Sequence, residues 1–167
     1  MTKRCLIATL VAILSLTSVL IAGCGNAERD KAVTFYRGAY PISKEIRQIT
    51  DDWNAFLQQF SKRKVTNQEI LGRVQGYVAR LEILPKNLSM LYAPTPLRQL
   101  KDDIASAINS GIDGFNLYQQ YAVTNDMNYA READSKLMES SKLLMRAADE
   151  WDDGLAHYKI KPSEIIR

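Results

Sequence analysis

The chain has 167 residues, of which 46% are hydrophobic and 25% charged, enough for one domain with an apolar core. Its formal net charge is +3, but two of the basic residues are Lys3 and Arg4, and without them the basic residues fall from 22 to 20, against 19 acidic ones. Nucleic-acid binding requires a concentrated basic surface, and this near balance gives no sign of one. We therefore expect no nucleic-acid partner.

The amino-terminal segment has the layout of an export signal. Lys3 and Arg4 precede an apolar run over residues 6–22, and Gly23 and Cys24 follow it. A membrane-spanning helix needs about 20 apolar residues, whereas this run is shorter and carries several hydroxyl side chains. A cleaved signal is therefore favoured over a permanent membrane span.

The end of this signal, Ile21-Ala22-Gly23-Cys24, resembles the lipobox of bacterial lipoproteins, and the resemblance covers residues 1–24 only. It implies that the Cys24 thiol is the lipid attachment site and that cleavage occurs before it. Membrane lipid, through the acylated Cys24, would then hold the chain to the cell envelope. Because the next residue is not aspartate, the resemblance implies the outer membrane in a bacterium with two membranes, or the outer face of a single membrane.

The expected organisation follows from this cleavage. Residues 1–23 are the signal peptide, residues 24–30 a lipidated polar tether, residues 31–161 a four-helix bundle and residues 162–167 a C-terminal tail. Cys24 would be the last remaining cysteine, since Cys5 leaves with the signal. No disulfide could then form, so stability must come from packing.

The first helix is predicted from apolar residues at steps of three and four, which is the spacing of one helix face. Pro41 falls inside this series and would kink or end a helix. Because the spacing keeps its phase across Pro41, one long kinked helix is favoured over two separate helices. The apolar positions are Ala32, Phe35, Ala39, Ile42, Ile46, Ile49, Trp53, Phe56 and Phe60.

The second helix is predicted to begin at a capping box. Thr66 and Glu69 have the spacing at which each side chain can bond the other residue's backbone amide. The apolar series that follows holds its phase past Pro85, and the sequence leaves open whether this proline kinks or breaks the helix. Its members are Ile70, Val74, Tyr77, Leu81, Leu84, Leu88 and Leu91.

Two further helices complete the prediction. Thr95-Pro96 has the composition of a helix start, and a third apolar series runs from Leu97 to Ala122. A fourth series runs from Met127 to Tyr158, and we expect it to face the core. Four amphipathic helices joined by short turns predict an all-α fold, an elongated antiparallel up-down four-helix bundle. The fourth series is Met127, Ala130, Ala133, Leu137, Ser141, Leu144, Ala148, Trp151, Leu155 and Tyr158.

Candidate chemistry is sparse. His157 is the one histidine, and its position near the end of the fourth helix suits a solvated or capping role. Acidic clusters such as Asp51-Asp52, Asp102-Asp103 and Asp149-Glu150 are expected to be solvated, because neighbouring helical residues point about 100° apart. We therefore expect no catalytic residue, no metal site, no cofactor and no enzymatic activity.

The predicted function is a non-enzymatic interaction or structural module of the envelope, with an envelope protein or ligand as its partner. Aromatic and arginine side chains are enriched where proteins dock, and several lie at the predicted end of the bundle farthest from the tether. At the other end we expect the turn at residues 92–94 and the C-terminal tail. The possible partner-binding residues at the far end are Phe60, Lys62, Arg63, Lys64, Tyr121 and Tyr129.

The alternative is a small-ligand-binding or sensory bundle. Small residues on the last two helices could leave an aromatic-lined cavity. A continuous, tightly packed core would favour the interaction module, whereas a void of a few hundred cubic ångströms would favour ligand binding. The small residues are Gly111, Ser141 and Ala148, and the aromatic walls would be Trp53, Tyr77 and Trp151.

Overall fold

The computed structural model describes the backbone of residues 3–60 and 65–166, with side chains for residues 26–59 and 65–166. Over this part of the chain the fold is a helical bundle without β-strands. The all-helical class predicted from the apolar spacing is confirmed. The helices are α1 (Lys3–Phe60), α2 (Asn67–Leu81), α3 (Leu84–Ser89), α4 (Arg98–Thr124) and α5 (Met127–Tyr158), with 3-10 turns at Thr95–Leu97 and Pro162–Glu164.

Helix α1 is continuous through Pro41, as predicted. Pro41 lies on the exposed side of the helix, while the neighbouring apolar positions Ala39 and Ile42 are buried. The missing backbone amide is therefore on the solvent side, where water can satisfy the carbonyl that it leaves unpaired. The predicted apolar series on α1 is buried at every position from Ala32 to Phe56.

The segment from α2 to α3 contains the predicted capping box and shows what happens at Pro85, which the sequence left open. The amide of Glu69 donates to Thr66 Oγ1 at 3.2 Å, and the amide of Thr66 donates to Glu69 Oε2 at 2.9 Å, so the capping box forms as predicted. The helix then breaks before Pro85, which lies in the first turn of α3. A proline is tolerated in a first turn because its missing amide would have no partner there anyway.

The closest helix pair is α4 and α5, joined by a turn at Asn125 in the left-handed conformation. Helix α5 buries a small residue every seven positions; Ser140 faces α4, whereas Gly154 lies against Tyr36 of α1 and Leu97. Ser140 Oγ donates to the Ala107 carbonyl at 2.8 Å, and Gly114 lies against Leu137. Small side chains let the two backbones approach closely. We call this row the small-residue seam; it consists of Ala133, Ser140, Ala147 and Gly154.

The seam corrects the predicted orientation of the fourth helix. The sequence assigned the core-facing line to Leu137, Leu144 and Trp151, but these side chains are only half-buried. Ser141 and Ala148, from the same predicted line, are exposed. The reason is that the seam directs the narrow side of α5 toward α4. Of the larger apolar side chains, Trp151 packs against Tyr36 of α1, and Leu137 packs against Gly114 of α4.

Contacts at the two ends show which parts of the chain come together. At one end, Asn67 Nδ2 donates to Asn125 Oδ1 at 2.5 Å. At the other end, Arg29 forms a salt bridge with Glu164 at 2.7 Å and Lys31 lies over the Tyr92 ring. We call these the far end and the tether end. As predicted, the turn near Tyr92 and the C-terminal tail lie at the same end of the bundle as residues 26–30, the first residues whose side chains are described.

The last residues of the chain are packed onto the bundle. Ile160 and Ile165 are buried, and Arg37 Nε donates to the Glu164 carbonyl at 2.8 Å. The Glu164 carboxylate also bonds the amide of Lys161 at 2.9 Å, which closes the last 3-10 turn. The tail therefore packs against the part of α1 around Arg29 and Arg37.

The seam generates a stability prediction at Gly154. A methyl group at this position would overlap the hydroxyl of Tyr36, which is fully buried, and the side chain of Leu97. We expect Gly154→Ala to lower the free energy of unfolding by about 1–3 kcal/mol, because the packed core must shift to admit the methyl group. Denaturant unfolding followed by circular dichroism measures this change.

The matched control is Gly76→Ala. Gly76 lies in α2 with open space around the site of the added methyl group. Alanine there should stabilise the domain by about 0.5–1 kcal/mol through helix propensity alone. Equal stabilisation of both variants would contradict the close packing at Gly154.

Candidate functional site

A long apolar groove runs between α1 and α5, with α4 forming its floor. It has two connected compartments. The narrow compartment, about 320 Å³, lies between Trp53 on α1 and Leu137 on α5. The wide compartment, about 650 Å³, lies between Tyr40 on α1 and Trp151 on α5. Both volumes fall in the range of small-molecule sites in proteins. The compartments share Ile46, Thr50 and Ser141, so we treat them as one α1–α5 groove.

The groove exists because α1 and α5 are held by different kinds of contact. The small-residue seam keeps α5 close to α4, whereas α1 meets the other helices through large rings. The Trp53 ring lies 5.3 Å from the Phe115 ring and 4.8 Å from the Tyr118 ring, centroid to centroid. Among the described helices, α3 is the one whose backbone α1 approaches over the largest stretch. The space left between α1 and α5 is the groove.

The tether end of the groove is closed by a specific contact. The Tyr36 and Trp151 rings meet edge to face at 4.7 Å, and the Tyr36 hydroxyl donates to the Trp151 carbonyl at 3.2 Å. Gly154 provides the room for this hydroxyl. Burial, together with the nearby Tyr158 and Asp152, raises the pKa of Tyr36, so its hydroxyl remains a neutral donor. The groove is therefore open along its side and blocked at this end.

Exposed apolar side chains border the groove on α5. Met138 and Met145 are 56% and 62% exposed, and each lines one compartment. Leu57 on α1 is 37% exposed and lines the narrow compartment. Methionine is flexible and polarisable, and it suits surfaces that adapt to a bound group. Such a row of exposed apolar groups beside a cleft is typical of a binding surface.

Charged side chains line both compartments, four in the wide one and Asp134 in the narrow one. Lys44 and Arg47 on α1 are exposed, and neither forms an ion pair or hydrogen bond with another described residue. Asp51 and Asp152 line the same compartment and are also unpaired among the described residues. Asp134, at the end of the narrow compartment, accepts from the Tyr118 hydroxyl at 2.5 Å. The wide compartment thus offers two unpaired cations and two unpaired carboxylates among the described residues.

The small residues singled out for a cavity do line this groove. Gly111 borders the narrow compartment, Ala148 the wide one and Ser141 both. Trp53 and Trp151 are the aromatic walls, one in each compartment. Tyr77 is not part of the lining; its ring packs behind Trp53 at 6.3 Å in the core.

The predicted partner-binding tip is only partly visible. Cys24, Phe60, Lys62, Arg63 and Lys64 lie outside the residues whose side chains the structure describes. Tyr121 and Tyr129 are half-buried at the far end, where Tyr121 packs edge-on against Tyr118 at 6.4 Å. Docking through these residues stays a prediction.

A buried ion pair was missed by the sequence analysis. Asp103, expected to be solvated, is only 2% exposed. Arg146 donates to both of its carboxylate oxygens, and Gln99 Nε2 donates at 2.9 Å. The signal was available in the spacing, because Asp103 lies three residues after buried Leu100 and so shares its face of α4.

The same cluster sets two pKa values in opposite directions. The Arg146 guanidinium holds the pKa of Asp103 below its usual value, even though burial opposes this effect. Burial raises the pKa of Glu150, and the nearby Asp103 charge adds to the increase. Glu150 Oε2 is buried and accepts no hydrogen bond from a described residue. The cluster does not line the groove, so we assign it to the stability of the α4–α5 pair.

His157 is exposed and contacts the Tyr158 ring. Among the described side chains, no three His, Cys, Asp or Glu residues lie close enough together to hold a metal ion. Within residues 26–59 and 65–166, no helix is long and apolar enough to span a bilayer. No protein-family model matches this chain, and no curated protein or solved structure is significantly similar to it.

The ion pair generates a pH prediction. The folded pKa of Asp103 is lowered, so its contribution to stability is complete above its unfolded pKa of about 3.9 and is lost as the pH falls further. Arg146→Gln removes the main cause of that lowering and leaves the buried carboxylate with Gln99 as its remaining described donor. We expect the variant to unfold more easily than wild type at pH 7, with the difference shrinking as the pH falls below about 4.

Denaturant midpoints measured at several pH values test this expectation. Arg131→Gln is the control, because Arg131 is an exposed cation on the same helix without an ion pair to a described residue. A constant difference between Arg146→Gln and wild type down to pH 2 would argue against the assignment of this titration to Asp103.

Proposed function

We propose that this protein is a lipid-anchored lipoprotein of the bacterial envelope whose helical domain is a non-enzymatic binding module. The observation that carries the proposal is the α1–α5 groove, an apolar cleft that the fold leaves open beside exposed Met138 and Met145. Soluble domains rarely keep such a surface uncovered unless something binds there. The export signal and Cys24 supply the anchor.

The arrangement proposed for the domain is an elongated antiparallel up-down four-helix bundle, in which α2 and α3 together form the second helix. Contacts between α4 and α5 support opposite directions, since Ala107 meets Ser140 while Tyr118 meets Asp134. On α1 and α2, Glu45 pairs with Arg80 at 2.6 Å. With the anchor at the tether end, the far end with Asn125 would face away from the membrane.

The groove favours binding over a purely structural role. A tightly packed core would have supported a rod that only presents its outer faces, but the space between α1 and α5 is large enough for a small molecule. The described lining is mainly apolar, with a few charged groups at one side. That composition is typical of recognition sites, where apolar surface provides affinity and polar groups fix orientation.

The anchor is tested by Cys24→Ser. We expect the variant to remain an uncleaved precursor or to leave the membrane, because the thioether is the proposed lipid attachment. Detergent partitioning and the mass of the processed chain measure the outcome. Cys5→Ser is the control and should behave like wild type. A Cys24→Ser chain that is cleaved and still partitions into detergent would rule out this anchor.

The groove is tested by photocrosslinking in intact cells. A benzoylphenylalanine placed at Met138, an exposed residue at the border of the narrow compartment, should give a light-dependent adduct with whatever occupies the groove. The same group at Ser135, exposed on α5 outside the groove, is the control and should give none. Adducts at both positions, or at neither, would contradict the groove as the binding surface.

A further inference from the structure

We propose that the α1–α5 groove is the surface through which two copies of this chain pair, with their α5 helices side by side and antiparallel. The inference rests on the proposed function, since it names a second copy as the occupant of the same groove. It starts from a line of residues on α5 at alternating steps of four and three. We call this line the exposed row; it consists of Asp134, Met138, Ser141, Met145, Ala148 and Asp152.

The exposed row has the spacing of a seam between two helices. Alternating steps of three and four keep side chains on one side of a helix, and paired helices pack through such lines. All six members are exposed, although each borders a compartment of the groove. Met138 and Met145 are more than half exposed. Helix α5 therefore carries a second seam, which no helix of the described chain covers.

Large and small side chains alternate along the exposed row in an order that complements itself. When a second α5 runs antiparallel, centred on Leu143, Met138 faces Ala148 of the second copy and Met145 faces its Ser141. Two-fold symmetry makes each contact twice. Each methionine then enters the groove where its lining is small, and large against small is the arrangement that fills space between helices. A parallel pair would place methionine against methionine and leave the small positions facing each other across a gap.

The charges of the groove suit a second copy better than a strongly charged ligand. Lys44 and Arg47 are unpaired in the described chain, and so are Asp51 and Asp152 in the same compartment. An acidic or a basic partner would meet charges of its own sign there. A second copy contributes cations and carboxylates in the same proportion, so neither sign accumulates when the two faces meet.

The groove face has the area that a weak, specific interface needs. The exposed row spans residues 134–152, a length of about 27 Å at the helical rise of about 1.5 Å per residue. Helices α1 and α5 each have a diameter of about 10 Å, so together they present a width of about 20 Å. Two such faces bury roughly 1,100 Å², slightly more than the minimum of about 1,000 Å² for a biological interface. We therefore expect reversible pairing rather than an obligate dimer.

The ends of the exposed row distinguish the two directions of pairing. In the antiparallel pair, Asp134 of each copy lies beside Asp152 of the other, and these like charges weaken association. Asp152→Lys turns both contacts into opposite charges, so we expect the dissociation constant to fall about fivefold, as for two exposed ion pairs. In a parallel pair the same substitution would place lysine against lysine, and pairing would not tighten.

Antiparallel pairing also determines where the two anchors lie. The tether end of each copy lies beside the far end of the other, so the two tethers leave opposite ends of the pair. Both anchors reach one membrane when the paired bundles lie along its surface. An unpaired copy has no such constraint and can stand away from the membrane.

Cysteine crosslinking of the full chain, in membranes from cells that express it, tests the register. Two differently tagged copies are co-expressed, one with Met138→Cys and the other with Ala148→Cys. Oxidation should join them, because the two positions face each other across the pair. Met138→Cys in both copies should give at least tenfold less disulfide. These positions are offset by ten residues, or about 15 Å along the helix, whereas a disulfide joins Cα atoms about 4.4–6.8 Å apart.

The matched control is Met90→Cys, which replaces an exposed methionine outside the groove and should not link to Ala148→Cys. Chains without an introduced cysteine give the background from Cys5 and Cys24. Preferred linkage of Met138→Cys to itself would indicate a parallel pair, and linkage to neither partner would exclude pairing through this face. Either result overturns the proposal.

Analytical ultracentrifugation of the detergent-solubilised full chain measures the dissociation constant. Met145→Glu places a carboxylate in the seam and should weaken pairing about tenfold, whereas Met90→Glu should leave it unchanged. All of the substituted side chains are exposed, so circular dichroism should show the same helicity for each variant. A chain that stays monomeric at every concentration, or an Asp152→Lys variant that pairs no more tightly than wild type, contradicts the antiparallel pair.

Benzoylphenylalanine at Met138 separates this inference from the proposed function. An adduct with the differently tagged second copy supports both. An adduct with any other molecule, without a disulfide between positions 138 and 148, leaves the binding module standing and removes the second copy as its occupant. If the group captures nothing, the groove is not the binding surface and both proposals fail.

Discussion

The close contact between α4 and α5 is the constraint on which the rest of the architecture depends. Every seventh residue of α5 from Ala133 to Gly154 is small and buried, and the Ser140 hydroxyl bonds the backbone of α4 at 2.8 Å. The larger residues Leu144 and Trp151 are only half-buried and line the cleft instead of filling it.

Helix α1 is positioned by the opposite kind of packing. Trp53 meets three aromatic rings from α2 and α4, and bulky rings keep helix backbones apart. At the tether end, by contrast, Gly154 admits the Tyr36 hydroxyl and the helices come together. The groove therefore forms where α1 packs through bulky rings and ends where α1 packs closely against Gly154. Its width is set by residues that do not line it, Tyr77 and Tyr118 among them.

Much of the helical framework could be predicted because it depends on local signals. The capping box at Thr66 and Glu69 is fixed by neighbouring atoms, and the α1 series keeps one phase for more than twenty residues, so each was readable from spacing alone. The break before Pro85 was left open because the apolar phase continues across it.

The groove could be predicted only in outline. Gly111, Ser141 and Ala148 pointed to missing volume, but the predicted α5 line was only partly right. Its first alanines are buried and its larger apolar residues pack against the core while remaining half-exposed, whereas Ser141 and Ala148 are exposed. Asp103 was misjudged as well. Its position three residues after Leu100 placed it on the buried face of α4, but its partner Arg146 lies 43 residues away on another helix and leaves no trace in local spacing. Lys44 and Arg47 gave no sequence signal at all.

The clamp between Arg29 and Glu164 has a consequence for the order in which the chain can fold. These residues are 135 positions apart, so Arg29 finds this partner only when nearly the whole chain is present. Loops of that length close slowly, whereas α4 and α5 meet across a two-residue turn. The hairpin can therefore form early and alone. Docking of the α1 segment around Arg29 is completed only by the last few residues, whereas the ring cluster around Trp53 can form without them.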